Sequence, residues 1–98
     1  MPYITKNART TWEPALNKLA EAIHHYGCSP GDLNYLITNL IDIYMARKGL
    51  NYTHLNDVVG ALESAKAEFQ RRVVAPYEDS KIKENGDVYN LEPFIKQT

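Results

Sequence analysis

Apolar side chains recur every three or four residues in three stretches of the chain, which is the pattern of amphipathic α-helices. The first stretch runs from about residue 11 to residue 26. Thr11 is its expected N-cap, and Gly27 fits a left-handed position just beyond its last turn. The apolar stripe of this helix consists of Leu16, Leu19, Ala20, Ile23 and Tyr26.

The second helix has the clearest start signal. Ser29 is followed by a proline at the first helical position, and Asp32 stands three residues after the serine, as in a capping box. Gly49 is expected to end the helix. Because Tyr35 and Ile43 lie off the main stripe, this helix is either central or in contact with another subunit. The stripe itself is formed by Leu33, Leu36, Ile37, Leu40, Ile41 and Tyr44.

The third helix is predicted from about Thr53 to Val74, where Pro76 is expected to end or kink it. A glycine inside a helix costs ~1 kcal/mol relative to alanine, so Gly60 suggests close packing against the first helix or a second chain. The apolar stripe consists of Leu55, Val58, Val59, Leu62, Ala65, Phe69 and Val73. A ridge of small residues runs beside it, made of Gly60, Ala61, Ser64 and Ala65.

Residues 76–90 admit two interpretations. Pro76, two following acids, two lysines and Gly86 match the start and stop signals of a short helix. Asn85-Gly86 fits equally a hairpin turn that pairs Ile82 with Tyr89. We slightly favour the helix. Residues 87–89 are then extended, with residues 3–4 as a candidate pairing partner.

The predicted fold is therefore all-α, a three-helix bundle with a polar C-terminal arm. We expect one domain over residues 1–98, divided into an N-terminal arm (1–10), a core (11–75) and a C-terminal arm (76–98). A chain of this length buries only part of its surface as a monomer. A homo-oligomer, either a dimer or a tetramer, is therefore expected.

Composition narrows the classes of partner. The formal net charge is −1, so the chain has no overall positive field for duplex nucleic acid. The N-terminal residues lack the apolar region of a signal peptide, and no apolar run reaches the length of a membrane span. We expect a cytoplasmic protein without a membrane partner.

The sequence gives only weak indications of catalytic or metal-binding residues. His24 and Cys28 are four residues apart, but a metal needs three or four ligands, and an exposed helix end is the simpler interpretation. Four acids suggest a magnesium-dependent phosphohydrolase, but they lack its repeated ExxE spacing and fit a solvated face: Glu63, Glu68, Glu78 and Asp79. We expect no catalytic residue, metal or cofactor.

A ligand site is the more specific prediction. Arg71 and Arg72 near a helix C-terminus either complement the helix dipole or bind an anion. Cations beside aromatic rings can neutralise a phosphate while a base stacks, and Asn85 and Asp87 can read a base edge. The predicted ligand-binding residues are Tyr3, Arg71, Arg72, Tyr77, Lys81, Asn85, Asp87 and Tyr89.

Three segments carry a resemblance: NDVVGALESAKAEFQRRVVAPYEDSKIKENGDVY (56–89), GDLNYLIT (31–38) and the opening MPYI. Together they are similar to a family of short proteins in bacteriophages and prophages, over nearly the whole chain. The resemblance implies, by class-level analogy, a viral anti-defence sponge. Such a protein sequesters a cyclic dinucleotide or related phosphate signal in the host cytoplasm without cleaving it.

Two other functions stay open. One is a phage accessory module that binds a host protein through the C-terminal arm. The other is a small nucleotide-processing enzyme that uses the four acids named above, which the missing metal-ligand spacing disfavours. The cluster of arginine, tyrosine and lysine favours the sponge over both.

Overall fold

The computed structural model describes residues 3–89, and this part of the chain is helical with no strand. The all-α prediction is confirmed. The elements are α1 (Lys6–Arg9), α2 (Glu13–Tyr26), α3 (Pro30–Lys48), α4 (Tyr52–Phe69), a π-helical segment (Gln70–Val74) and α5 (Ala75–Asn85). Residues 90–98 of the predicted arm lie outside the described part.

The chain divides into two units, Met1–Arg47 and Lys48–Thr98, and each is described by itself. The N-terminal unit contains α1, α2 and α3, and the C-terminal unit contains α4, the π-helical segment and α5. A single core over residues 11–75, shared by three bundled helices, stays a prediction.

The N-terminal unit begins with a short helix that the sequence pattern did not indicate. The Thr5 hydroxyl oxygen caps α1 by accepting the Ala8 N–H at 3.1 Å. The expected N-cap at Thr11 is wrong, because Thr11 belongs to the turn after α1, where its N–H donates to the Ala8 carbonyl, and α2 starts only at Glu13. Trp12 takes the capping position, without a side-chain bond.

Helix α3 starts as predicted. The Ser29 N–H donates to Asp32 Oδ2 at 2.9 Å, and the Asp32 N–H donates to Ser29 Oγ at 3.1 Å. These reciprocal bonds form the capping box and satisfy two backbone donors that the first turn leaves without partners. Gly27 closes α2 with a φ of 82° and ψ of 175°, so its φ is positive but its backbone is not left-handed helical.

Helix α4 begins one residue before the predicted start. Asn51 is its N-cap, and the Asn51 Oδ1 accepts the His54 N–H at 2.9 Å. The His54 ring nitrogen Nδ1 lies 2.8 Å from the Gly49 carbonyl oxygen, which ties the loop to the first turn of the helix. Gly49 has a φ of 91°, a conformation that suits glycine at the end of α3.

Pro76 does not end the third helix. The Ala75 N–H donates to the Gln70 carbonyl, five residues earlier, so a π-turn precedes the proline. In a regular α-helix the proline ring would clash with the carbonyl four residues before it, that of Arg72. The π-turn carries one extra residue, and the chain continues directly into α5.

The tail adopts the predicted short helix, and the hairpin interpretation is wrong. The Gly86 N–H closes α5 on the Ile82 carbonyl at 2.8 Å. Residues 87–89 and residues 3–4, which were expected to be extended and paired, form no strand in either unit. Asp87 Oδ1 instead accepts the Tyr89 N–H at 2.9 Å, and Tyr3 has a φ of 50°, which no strand residue adopts.

No described side chain of the chain is buried; each is exposed or half-buried. The described helices therefore expose most of their apolar stripes. Large exposed residues occur on every long helix and include Leu16, Leu33, Leu40, Val59, Leu62 and Phe69. Local hydrogen bonds define the helices, while each unit by itself leaves its apolar stripes largely uncovered.

The capping box predicts a dependence of α3 on pH. The Ser29 backbone N–H, and then its hydroxyl, hold the pKa of the Asp32 carboxyl below its ordinary value of 3.8. A depressed pKa stabilises the folded state above the ordinary value, and this contribution disappears as pH falls through the lowered value. We expect Asp32→Asn to reduce the helical circular dichroism at neutral pH, and the difference from wild type to shrink in acid.

Asp42→Asn is the matched control for that experiment, because it removes one negative charge from the same helix away from the capping box. A loss of helicity for Asp32→Asn that is equally large well below pH 3.8 would contradict the role given to the ionised carboxylate.

Gly60 gives a second prediction. Apart from its chain neighbours and the backbone of its own helix, no atom of the described residues lies within 4 Å of a Cβ placed on Gly60. Gly60→Ala should therefore raise the free energy of unfolding by ~1 kcal/mol through helix propensity alone. Chemical denaturation followed by circular dichroism measures this. Destabilisation would show instead that another backbone approaches this face of α4, as the small-residue ridge suggested.

Candidate functional site

The C-terminal unit contains all the predicted ligand-binding residues except Tyr3, which belongs to the N-terminal unit. Arg71 and Arg72 lie in the π-helical segment. Helix α5 carries Tyr77, Lys81 and Asn85, and the segment just after it carries Asp87 and Tyr89. The participation of Tyr3 in the same site stays a prediction.

A groove of about 360 Å³ lies at the end of α5. Gly86, with a φ of 85°, ends the helix, and the three residues after it line the groove together with the last turns of α5. Four of the predicted residues lie together here, Lys81, Asn85, Asp87 and Tyr89. The remaining lining consists of Glu78, Ile82, Gly86 and Val88.

Lys81 is the cation of this groove. Its ammonium nitrogen lies 5.5 Å from the centroid of the Tyr77 ring and 3.1 Å from Glu84 Oε2. An exposed ion pair of this kind contributes ~0–1 kcal/mol, so an incoming anion can replace the carboxylate at little cost. The tyrosine face keeps the ammonium in place, because the ring quadrupole attracts a cation.

Two carboxylates also face the groove. Glu78 and Asp87 line it together with Lys81, so the lining carries one more negative than positive charge. Asp87 uses one oxygen to accept the Tyr89 N–H at 2.9 Å, which fixes the turn that brings Tyr89 to the groove. The groove therefore suits a ligand with few negative charges and with donors for the acidic side.

The structure does not bring the arginines into this groove. Arg72 pairs with Glu68 at 3.7 Å and lines a separate hollow of about 300 Å³ on α4. Arg71 lines neither depression and forms no ion pair among the described residues. The helix continues past Pro76, so at ~1.5 Å per residue Lys81 lies roughly 13 Å along the axis from Arg72.

Sequence reasoning missed the apolar part of the groove. Ile82 was considered only as a hairpin partner, and Val88 was not considered as a site residue. The helix signal that ends at Gly86 places Ile82 in the last turns of α5 and Val88 two residues beyond the glycine, so both lie near the same helix end. Both line the groove, and Val88 remains 94% exposed.

The N-terminal unit has a smaller hollow of about 180 Å³ between α2 and α3. Its lining includes Ile23, Tyr26, Cys28 and Tyr35, none of which was assigned to a ligand.

Over the described residues no group of three or more His, Cys, Asp or Glu side chains is arranged to hold a metal ion. In the same part of the chain, no helix has the length and apolarity needed to cross a membrane.

Comparison with known proteins places the chain in a family. Residues 1–88 match the family described as Domain of unknown function (DUF6899). The chain belongs to this family. No curated protein and no solved structure matches it. The family match spans the groove lining up to Val88, and the description of DUF6899 assigns no activity, so function has to be argued from the geometry of the site.

Proposed function

We propose that this DUF6899 protein is a non-enzymatic sponge, a viral anti-defence protein that sequesters a cyclic dinucleotide or related phosphate signal in the host cytoplasm. One observation supports the proposal above the others. A single groove at the end of α5 gathers a lysine, an amide, a carboxylate and a tyrosine from the predicted set. The lysine matches a phosphate, the amide and carboxylate match the edge of a base, and the tyrosine matches the face of a base.

Lys81 binds the phosphate in this proposal. Its ammonium is held over the Tyr77 ring at 5.5 Å and exchanges Glu84 for a phosphate oxygen. A charge-assisted hydrogen bond of this kind is about twice as strong as a neutral one. Arg71 and Arg72 add positive charge elsewhere on the same unit, and they steer an anion toward it.

Tyr89 and its neighbours bind the base. The Tyr89 side chain is 72% exposed, so its ring offers a free face for stacking. Asn85 and Asp87 line the groove beside it and can exchange hydrogen bonds with the donors and acceptors of a base edge. The apolar side chains of Ile82 and Val88 supply the contact area that most small-molecule sites have.

The acids of the groove select among phosphates. A phosphomonoester carries nearly two negative charges at neutral pH, and Glu78 and Asp87 would repel it. A phosphodiester carries one charge, which Lys81 alone can balance. The groove therefore favours a cyclic, diester-linked nucleotide over a linear one with terminal phosphates. We propose that the binding form is a homo-oligomer, a dimer or tetramer.

Native mass spectrometry with a panel of cyclic and linear nucleotides tests the proposal. We expect the protein to gain the unmodified mass of a cyclic dinucleotide. Lys81→Ala and Tyr89→Ala should each weaken binding about tenfold, because one charge-assisted contact or one stacked base contributes ~1–3 kcal/mol. Lys83→Ala is the control, since this lysine lies on α5 but does not line the groove.

Equal affinities for wild type and both groove variants would show that the ligand binds elsewhere. A change in the mass of the nucleotide, dependent on magnesium and lost in Glu78→Ala, would replace the sponge with an enzyme. No binding across the panel would leave the second candidate function, a module that binds a host protein.

That second candidate is favoured by the apolar part of the same groove. Val88 is 94% exposed and lines the groove together with Ile82 and two acids, a surface suited to a protein segment with an apolar anchor and a basic flank. In this case affinity purification from host cells should recover one protein in stoichiometric amount. Val88→Asp should abolish recovery, and Ser80→Asp, which adds the same charge on α5 outside the groove, should not.

A further inference from the structure

We propose that Asn85 is a modification site at which the side-chain amide is hydrolysed to a carboxylate, and that the hydrogen bond closing α5 controls the rate of this change. The site takes water as its substrate and releases ammonia. Every protein atom that reacts belongs to Asn85 or Gly86, two consecutive residues of the C-terminal unit. The modification therefore does not depend on the nucleotide proposed for the groove.

The residue pair Asn85-Gly86 is the signal in the sequence. The backbone nitrogen that follows an asparagine can attack the carbonyl carbon of the asparagine side chain, and a Cβ on the following residue hinders this attack. Glycine has no Cβ and reaches backbone conformations that other residues avoid. Every other asparagine of the chain is followed by a residue with a Cβ, so the attack is least hindered at Asn85.

The modification proceeds in two steps. The Gly86 nitrogen gives its proton to water or hydroxide and forms a bond to Asn85 Cγ, while the bond from Cγ to Nδ2 breaks and Nδ2 takes up a proton and leaves as ammonia. One water molecule then opens the five-membered succinimide at either carbonyl carbon. The products are an aspartate or an isoaspartate, in which the main chain runs through the side-chain carbon. Nothing is oxidised or reduced.

The folded helix opposes the first step. The Gly86 N–H donates to the Ile82 carbonyl oxygen at 2.8 Å, so the attacking nitrogen is engaged in the bond that closes α5. The succinimide ring contains the Cα–C bond of Asn85, and ring closure turns the ψ angle of this residue away from its helical value. The nitrogen is released when the last turn of α5 opens, and helix ends open most readily.

The product changes the groove at the end of α5. Asn85 lines this groove together with Glu78, Lys81 and Asp87. Replacing its amide by a carboxylate removes two N–H donors and leaves three carboxylates with the one ammonium of Lys81. An isoaspartate also lengthens the main chain by one atom, which displaces the bond that closes α5. The modified groove repels a phosphate more strongly, and this consequence alone rests on the proposed function.

Peptide mapping of the whole protein after storage in mildly alkaline buffer tests the proposal. Mass spectrometry of the peptides measures the fraction of each asparagine that has become a carboxylate. Asn56, which lies on α4 and is followed by an aspartate, is the internal reference. We expect Asn85 to react faster than Asn56 in denaturant. In the native protein Asn85 should react about fivefold more slowly than in denaturant, the factor that one net hydrogen bond contributes.

Three variants separate the residue pair from the helix. Gly86→Ala should slow the reaction in denaturant, where the strain of a Cβ at a φ of 85° has no effect. Lys83→Gly weakens the last turns of α5 without removing a reacting group or a groove residue, and it should speed up the reaction in the native protein. Lys66→Gly makes the same exchange on α4 and should not.

Two results would overturn the proposal. Equal rates for Asn85 in native and denaturing buffer would show that α5 does not control the reaction. A rate for Asn85 in denaturant no higher than that for Asn56 would remove the site itself. Both rates are measured without any ligand, so a failure here is distinct from a failure to bind nucleotide.

Discussion

The burial of apolar surface is the constraint on which the rest of this structure depends. Caps such as the Ser29–Asp32 box and Asn51 define where the helices start, but they supply only local hydrogen bonds. Isolated helices of this length are marginal in water, and most helical stability comes from packing of an apolar face. Since no described side chain is buried, the hydrophobic contribution has to come from contacts that neither unit makes by itself.

The π-turn before Pro76 decides how the functional groups are distributed. It lets the helix continue through the proline, so positions that are close in sequence become separated along a helical axis. Arg72 therefore lies in the hollow on α4, while Lys81 lies in the groove at the end of α5. One run of helix thus carries two separate depressions, the hollow on α4 and the groove at the end of α5.

Sequence reasoning succeeded where one local signal acted alone. The Ser29 cap, the glycines after α2 and α3 and the helical period of α4 located those helices closely. It failed at Thr11 because a short helix, α1, precedes this residue, so Thr11 lies in the connecting turn and α2 starts only at Glu13. It left open whether Pro76 ends or kinks the third helix, and it did not predict the π-turn, because residue type alone does not indicate a widened turn. Four of the eight predicted site residues line one groove. Arg72 does not, because the helix continues through Pro76 and keeps Arg72 away from the end of α5.

A two-fold symmetric dimer and a cyclic dinucleotide, which are the proposed assembly and the proposed ligand, have matching symmetry. A single groove offers one ammonium and open walls, which is a weak site for a ligand with two phosphates. A dimer with a two-fold axis presents two copies of Lys81 and Tyr89, and a cyclic dinucleotide presents two phosphodiesters and two bases. If both grooves meet one ligand, the second contact is intramolecular and gains from effective concentration. In this arrangement two weak grooves together bind one ligand tightly, and sequestration needs no catalytic group.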